Sequence, residues 1–319
     1  MMDLRGERVL VTLPLTEAQR LEFDALAAGA GAACVFAPSN EVTQEDVDGA
    51  AIVLGNVPAK LLHGQQSLRW LQTYTAGYDQ YVAPGLLAEG TILTCATGAY
   101  GQAVSEHMFA QLLCLMKKLH LYRDYQHGGA WTDEGSITSL VGATVLVLGT
   151  GDIGSSFARL VCALGATAWG VRRRVDEPVE PFERLFSFDQ LAEVLPQVDV
   201  VASVLPSTPE TRGLANAEFF AAMKPGAFFV NAGRGDLVVS EDLIDALESG
   251  HLAGAALDVT NPEPLPADHP LWQQTNALIT PHISGGWHLQ ATIDNAVSLC
   301  KGNLEAYLSG NPLRNVVAR

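Results

Sequence analysis

The chain has 319 residues, 48% hydrophobic and 17% charged, so it carries enough apolar side chain for a sizeable core in about two domains, and a disordered polymer is excluded. Its 19 Lys and Arg against 35 Asp and Glu give a formal charge of −16, a field that repels phosphate and argues against nucleic acid or anionic membrane as general partners. Five cysteines without CxxC spacing, no long apolar window and no signal-like N-terminus predict a reduced cytoplasmic protein with no metal, no disulfide framework and no membrane span.

In chain order, the run RVLVTL at 8–13 reads as a buried strand. Thr16, with Gln19 three residues on, is a capping-box signature and starts a helix that reaches the glycines at 29 and 31. Short apolar runs at 33–37, 51–54, 68–74 and 91–96, bounded by Gly, Pro or Asn, predict further strands. Strands separated by helical stretches imply a parallel sheet covered on both faces. From about Gln102 to Tyr125, apolar positions (Val104, Met108, Leu112, Leu115, Leu119, Tyr122) recur every three or four residues and predict one long helix with a buried face. A Gly-rich loop with Trp131 follows. The alternation then restarts, with strands at 144–148, 166–171, 198–204, 226–231, 252–257 and 277–280. Helices are expected at 152–164, near 189–195, near 216–223 and at 240–249. A last periodic stretch, about 287–309, reads as a helix ending at Gly310-Asn311-Pro312.

The strand at 144–148 runs directly into Gly149-Thr150-Gly151-Asp152-Ile153-Gly154 and then into a helix and a second strand. That context turns a common glycine pattern into a dinucleotide fingerprint. Glycines let the backbone turn sharply and approach a pyrophosphate, and the helix N-terminus offers N–H groups to the anion. An NAD-selective site places an acid at the end of the second strand to bind the ribose 2′-OH. This chain has Arg172, Arg173 and Arg174 there instead. Guanidinium groups favour a 2′-phosphate, so NADP(H) is favoured over NAD(H), with a merely solvated turn as the plain alternative.

Three further segments follow strands. They are Asn231-Ala232-Gly233-Arg234-Gly235, the loop 261–266 around Glu263 just past Asp258, and Thr280-Pro281-His282-Ile283-Ser284-Gly285-Gly286. Ligands of open parallel sheets bind at the carboxyl ends of strands, so Arg234, Glu263 and His282 form a chemically sensible set.

Together these motifs, with LPSTPET at 205–211, MKPG at 223–226, AALDV at 255–259, TAGYD at 75–79 and AVSEH at 103–107, resemble the D-isomer-specific 2-hydroxyacid dehydrogenase family over nearly the whole chain. The resemblance implies an α/β fold of two Rossmann-like or flavodoxin-like parallel-sheet domains with an interdomain cleft. Residues 1–103 with 289–319 would form a discontinuous substrate domain, and 104–288 the dinucleotide-binding domain. It implies hydride transfer between NAD(P)H and a small 2-oxo acid or D-2-hydroxy acid, of glyoxylate/hydroxypyruvate type. Arg234 would hold and polarise the oxo acid, His282 would exchange the proton, and Glu263 would orient His282 and favour its imidazolium. Ala76, Gly77 and Tyr78 would bind the substrate carboxylate. Ala232, Gly233 and Asp258 would lie near the nicotinamide, and Leu205, Pro206 and Thr211 would line the adenosine side. A homodimer is implied, with Trp131 in a segment that reaches a partner's site in some relatives. A phosphoglycerate, phosphite or other D-2-hydroxyacid dehydrogenase is the alternative, and a corepressor-like nucleotide sensor the alternative of another class. A chain stopping at Arg319 has no room for appended regulatory domains, and its N-terminal part is poor in Lys and Arg, which favours a small unphosphorylated substrate. Tyr74, Tyr78 and Tyr100 lie near the inferred substrate loops.

Overall fold

The structure, a computed structural model, describes residues 4–318; residues 1–3 and 319, at the two ends of the expected substrate domain, lie outside the described residues. The first part of the chain forms β1 (Arg8–Val11), α1 (Glu17–Gly29), β2 (Ala33–Phe36), α2 (Gln44–Asp48), β3 (Ala50–Leu54), β4 (Trp70–Gln72) and β5 (Ile92–Thr94). Two helices follow, α3 (Gly101–Met116) and α4 (Leu119–Gly128). Then come β6 (Thr144–Leu148), α5 (Asp152–Ala163), β7 (Thr167–Val171), β8 (Arg184–Phe186), α6 (Leu191–Val194), β9 (Val200–Ser203), α7 (Ala217–Ala222) and β10 (Ala227–Asn231). The chain ends with α8 (Ser240–Glu248), β11 (Leu252–Leu257), β12 (Ala277–Ile279) and α9 (Gln290–Ser309).

These elements divide into two compact units, one built from Met1–Tyr100 with Trp287–Arg319, the other from Gly101–Gly286. The first unit holds a five-stranded parallel sheet in the order β2-β1-β3-β4-β5, a flavodoxin-like arrangement whose order reverses beside β1. Thr16 and Gln19 form the capping box expected at the start of α1. Successive strand residues face opposite sides, so Val9, Val11, Ile52 and Leu54 pack with Phe23 of α1 and with Val297, Cys300 and Leu304 of α9. Leu10, Val53, Leu71 and Leu93 pack on the other face with Leu62 and Tyr81. Trp70 stacks on Tyr307 of α9 with ring centroids 4.9 Å apart, which ties the returning C-terminal helix to the sheet.

The second unit holds a seven-stranded parallel sheet in the order β12-β11-β10-β9-β6-β7-β8. The order reverses between β6 and β9, the doubly wound pattern in which ligands bind at the strands' carboxyl ends. β6, β9 and β10 are almost continuously apolar and buried, as a sheet covered on both faces requires. Phe219, Phe220 and Phe229 meet edge-on in its core.

One expected element is corrected. The single helix of 102–125 is two helices, α3 and α4, because Lys118 adopts a left-handed conformation (φ 56°) that no continuous helix accommodates. The ammonium groups of Lys117 and Lys118 reach the carbonyls of Thr138 and Glu134, drawing the following loop back over the break. The apolar spacing runs through it, but only α3 uses it. α4 has no buried residue, and Leu119 is 54% exposed. The short α2 and β8 carry too few residues for a periodic signal. Among the described residues, no helix is long and apolar enough to cross a membrane, and no group of three or more His, Cys, Asp or Glu is placed to hold a metal. All five cysteines are free thiols, with Cys95 and Cys300 buried.

Candidate active site

β6 ends at Leu148 and α5 begins at Asp152, so the glycine turn sits at a strand's carboxyl end beside the point where strand order reverses. Gly149 has φ of 100°, which a side chain would strain. A Cβ on Gly154 would stand 1.9 Å from the Gly149 carbonyl oxygen, so this glycine lets α5 pack tightly on the turn. Gly151 caps α5 with no side-chain hydrogen bond and has open space around its α-carbon. The first N–H groups of α5 are therefore not capped by a side chain, and backbone N–H groups beside a glycine cradle fit a dinucleotide pyrophosphate.

Asp152 stands in the first turn of that helix, with Ile153 beside it half-buried. Burial pushes the Asp152 carboxyl up, against the opposing pull of the Gly101 N–H and Arg159, and its buried Oδ2 has no hydrogen-bond partner. Arg172, Arg173 and Arg174 follow β7, the neighbour of β6, with Arg173 and Arg174 exposed. Leu205 and Thr211 are buried after β9, and the Thr211 hydroxyl donates to the Pro206 carbonyl at 2.7 Å. A Cβ on Gly233 would meet the backbone of Leu205 at 2.5 Å, so the loops after β9 and β10 lie in direct contact. These residues fit a nicotinamide dinucleotide: a glycine turn shaped for a pyrophosphate, cations at the end of the second strand, and a loop on the other side anchored by buried Leu205 and Thr211.

Arg234 follows β10. Asn231, fully buried at the strand's end, donates from Nδ2 to the Arg234 carbonyl at 2.9 Å and accepts the Gly233 N–H at Oδ1. Arg234 Nη1 donates to the Gly233 carbonyl at 2.9 Å. Thus one buried amide shapes the loop that carries Ala232, Gly233 and Arg234.

His282 and Glu263 lie 19 residues apart on loops after β12 and β11, and His282 Nδ1 is 2.9 Å from Glu263 Oε2. Their side chains are 51% and 39% exposed, so the imidazole is held on one edge and open on the other. The other carboxylate oxygen, Glu263 Oε1, accepts the Thr260 N–H at 3.0 Å and fixes the acid to its own loop. A carboxylate only accepts, so Nδ1 carries hydrogen and Nε2 is the free edge.

His282 itself adopts a left-handed conformation (φ 52°). Its N–H donates to the carbonyls of Asp258 at 2.8 Å and Thr280 at 3.0 Å. The buried Asp258 carboxylate accepts the Ile283 N–H at Oδ1, the Ser284 N–H at Oδ2 and the Thr280 hydroxyl at 2.6 Å. Burial opposes its ionisation, but the hydrogen bonds from Ser284, Thr280 and the Ile283 N–H prevail and hold the carboxyl below the ordinary carboxylate range. The sequence marked Asp258 only as a nicotinamide neighbour; the structure shows its side chain clamping the His282 loop. No local spacing signals this.

In the first unit, Ala76, Gly77 and Tyr78 lie half-buried in the loop after β4. Asn56, after β3, donates from Nδ2 to Thr75 Oγ1 at 3.0 Å and accepts the Tyr74 N–H at Oδ1, while the Thr75 hydroxyl donates to the Gly77 carbonyl. The Tyr100 hydroxyl donates to the Tyr74 carbonyl at 2.7 Å, so Tyr100 supports the loop from beneath. Asn56 was not singled out by sequence; its place one residue past Gly55 at a strand end is the one local cue.

The chain matches the sequence family described as D-isomer specific 2-hydroxyacid dehydrogenase, NAD binding domain, over residues 109–284. It is 32% identical over 251 residues to human glyoxylate reductase/hydroxypyruvate reductase, spanning 77% of this chain and 76% of that protein. Among solved structures, a D-isomer specific 2-hydroxyacid dehydrogenase family protein from Aeromonas salmonicida superposes with a TM-score of 0.84 at 32% identity, over 98% of this chain and 99% of that one. A second, from Xanthobacter autotrophicus in complex with NADPH and MES, superposes with a TM-score of 0.79 at 28% identity, over 98% of both chains.

Proposed function

This chain belongs to the D-isomer specific 2-hydroxyacid dehydrogenase family, an oxidoreductase family using a nicotinamide cofactor, and we propose that its reaction is the reduction of a glyoxylate- or hydroxypyruvate-type 2-oxo acid with NADPH. The observation that carries this reading is the His282 Nδ1 to Glu263 Oε2 bond, on the same sheet as the glycine turn and Arg234.

When bound, the reduced nicotinamide supplies hydride to the oxo carbon. Arg234 holds the oxo acid and offers guanidinium N–H groups to the carbonyl oxygen, where negative charge grows. Glu263 orients the His282 ring and balances its charge when protonated. The proton leaves from Nε2 to the same oxygen, so Arg234 and His282 stabilise one developing alkoxide. Ala76, Gly77 and Tyr78 take the substrate carboxylate. Gly149, Gly151, Asp152, Ile153 and Gly154 face the pyrophosphate, Leu205, Pro206 and Thr211 the adenosine side, and Ala232, Gly233 and Asp258 the nicotinamide end. Arg172, Arg173 and Arg174 select the 2′-phosphate, supported by the absence of an acid at the end of β7. The exposed Trp131, Leu119, Ile137 and Val141, all within the segment 119–141, support burial of that segment in a homodimer, which sedimentation at varied concentration tests.

The deciding experiment is a panel of initial rates for glyoxylate, hydroxypyruvate, pyruvate and bulkier oxo acids with each cofactor. Turnover of the first two with NADPH preferred is the expected result. Replacing Arg172 and Arg173 by Ser should reduce that preference by about tenfold or more. Turnover confined to phosphorylated oxo acids would replace this reading with a phosphoglycerate-type one.

A further inference from the structure

We propose that His107 of α3 is a positioning residue that sets the loop carrying His282, acting through the hydroxyl of Thr280. This rests on the reading of His282 as the proton donor. The inference follows from hydrogen counting. Thr280 has one hydroxyl hydrogen and two acceptor sites. Three groups stand within hydrogen-bond distance of that oxygen: Asp258 Oδ1 at 2.6 Å, His107 Nε2 at 3.0 Å and Gln111 Nε2 at 3.1 Å.

An ionised Asp258 only accepts, so it takes the Thr280 hydrogen. Both remaining partners must then donate. Gln111 therefore presents its NH2 side, and His107 carries hydrogen on Nε2. With both acceptor sites of the oxygen filled, the hydroxyl cannot rotate away from Asp258. His107 Nε2 also lies 3.7 Å from Asp258 Oδ1, so its N–H dipole reinforces the same carboxylate.

The consequence is carried by Asp258. Its two oxygens take the N–H groups of Ile283 and Ser284, and its carbonyl takes the N–H of His282. Those three residues are the turn in which His282 holds φ of 52°. A β-carbon-bearing residue keeps that conformation only where surrounding hydrogen bonds over-determine it. His107 and Gln111 are spaced by four on one face of α3, so the helix presents both donors to Thr280 together. α3 thus acts as a rigid rail against which the proton-donor loop is registered.

The test uses the full chain with His107→Leu and His107→Gln. Gln can place an N–H where His107 Nε2–H stands; Leu cannot. Two readouts are taken: amide hydrogen exchange at Ile283 and Ser284, and kcat and KM for 2-oxo acid reduction. In His107→Leu both amides should exchange faster, and kcat should fall by about tenfold, the size of coupling seen within one hydrogen-bond network. KM for the cofactor should stay within about twofold of the wild type, since the glycine turn is untouched. His107→Gln should recover most of both losses. Unchanged exchange in the Leu variant, or a Gln variant as impaired as Leu while melting like the wild type, overturns the proposal. If the Leu variant does not fold, Thr280→Val removes the hydroxyl from the other end and must loosen the same two amides; protection at the wild-type level there overturns it equally. A wild-type protein that reduces no oxo acid defeats the functional reading alone, because the exchange measurements still decide the positioning role.

Discussion

The two units use buried polar side chains for different ends. In the first, Gln72 of β4 is fully buried, and its Oε1 accepts both the Thr94 hydroxyl and Asn303 Nδ2 of α9 at 2.7 Å. Trp70 Nε1 donates to Thr94 Oγ1, and Asn303 Oδ1 takes the Arg314 N–H. This network joins β4, β5, α9 and the C-terminal segment. In the second unit, buried Asn231 and Asp258 sit at strand ends and shape the loops of Arg234 and His282. The lesson is that position along a strand does not decide the use, since Gln72 and Thr94 also end their strands: a buried polar group whose partner lies on a packed helix closes a fold, and one whose partners are the following loops fixes a site.

The sharpest way to break that contrast is to remove the side chains the second unit positions. His282→Ala and Arg234→Ala should each lower kcat by about a thousandfold with the melting curve unchanged. Loss of folding in either variant would move these residues to the structural side. Conversely, Asn303→Ala should cost about 3 kcal/mol of stability by urea unfolding, because it strands buried partners, and should leave the cofactor dissociation constant unchanged. A large change in cofactor affinity would erase the division of labour.

A smaller effect is expected at the glycine turn. Asp152→Asn removes a partly buried negative charge beside the turn proposed to cradle the pyrophosphate while keeping an acceptor for the Gly101 N–H, so cofactor binding at neutral pH should tighten about fivefold. Weaker binding by fluorescence titration would show that Asp152 is needed in its ionised form, and equal binding that its charge does not act on the cofactor.

The mildest test is the pH dependence of stability. Burial raises the thiol of Cys300 in the first unit from the ordinary 9.0 to about 12. Between those values the folded chain keeps a proton that the unfolded chain releases, so stability falls as pH rises through the window. Asp258 of the second unit has the opposite sign. Its lowered carboxyl contributes stability above the ordinary value of 3.8 and loses that contribution as pH falls through the lowered one. Unfolding measured across both windows should show Cys300→Ala flattening the alkaline limb and Asp258→Asn flattening the acid limb.

Much of this was legible in the chain itself. The capping box of Thr16 and Gln19 forms as read, because its partners are three residues apart. The glycine turn likewise needs only the backbone of six neighbours. The single helix expected through 118 breaks at Lys118 for a related reason: apolar spacing reports which face could be buried, not whether the chain turns away before using it. The tie between Asn303 and Gln72 spans 231 residues and that between His107 and Thr280 spans 173, far beyond any periodicity.

Taken alone, the sequence determined the alternation of parallel strands and helices, the glycine turn between β6 and α5 and the strand ends that carry Arg234, Glu263 and His282. Only the tertiary structure decided that Asp258 faces inward as a clamp, that α3 stops at Met116, and that Asn56 and His107 brace loops distant from them in the chain. Local features are set by φ, ψ and side-chain spacing within one element. The partner of a buried polar group is set by which remote segment the fold delivers to it.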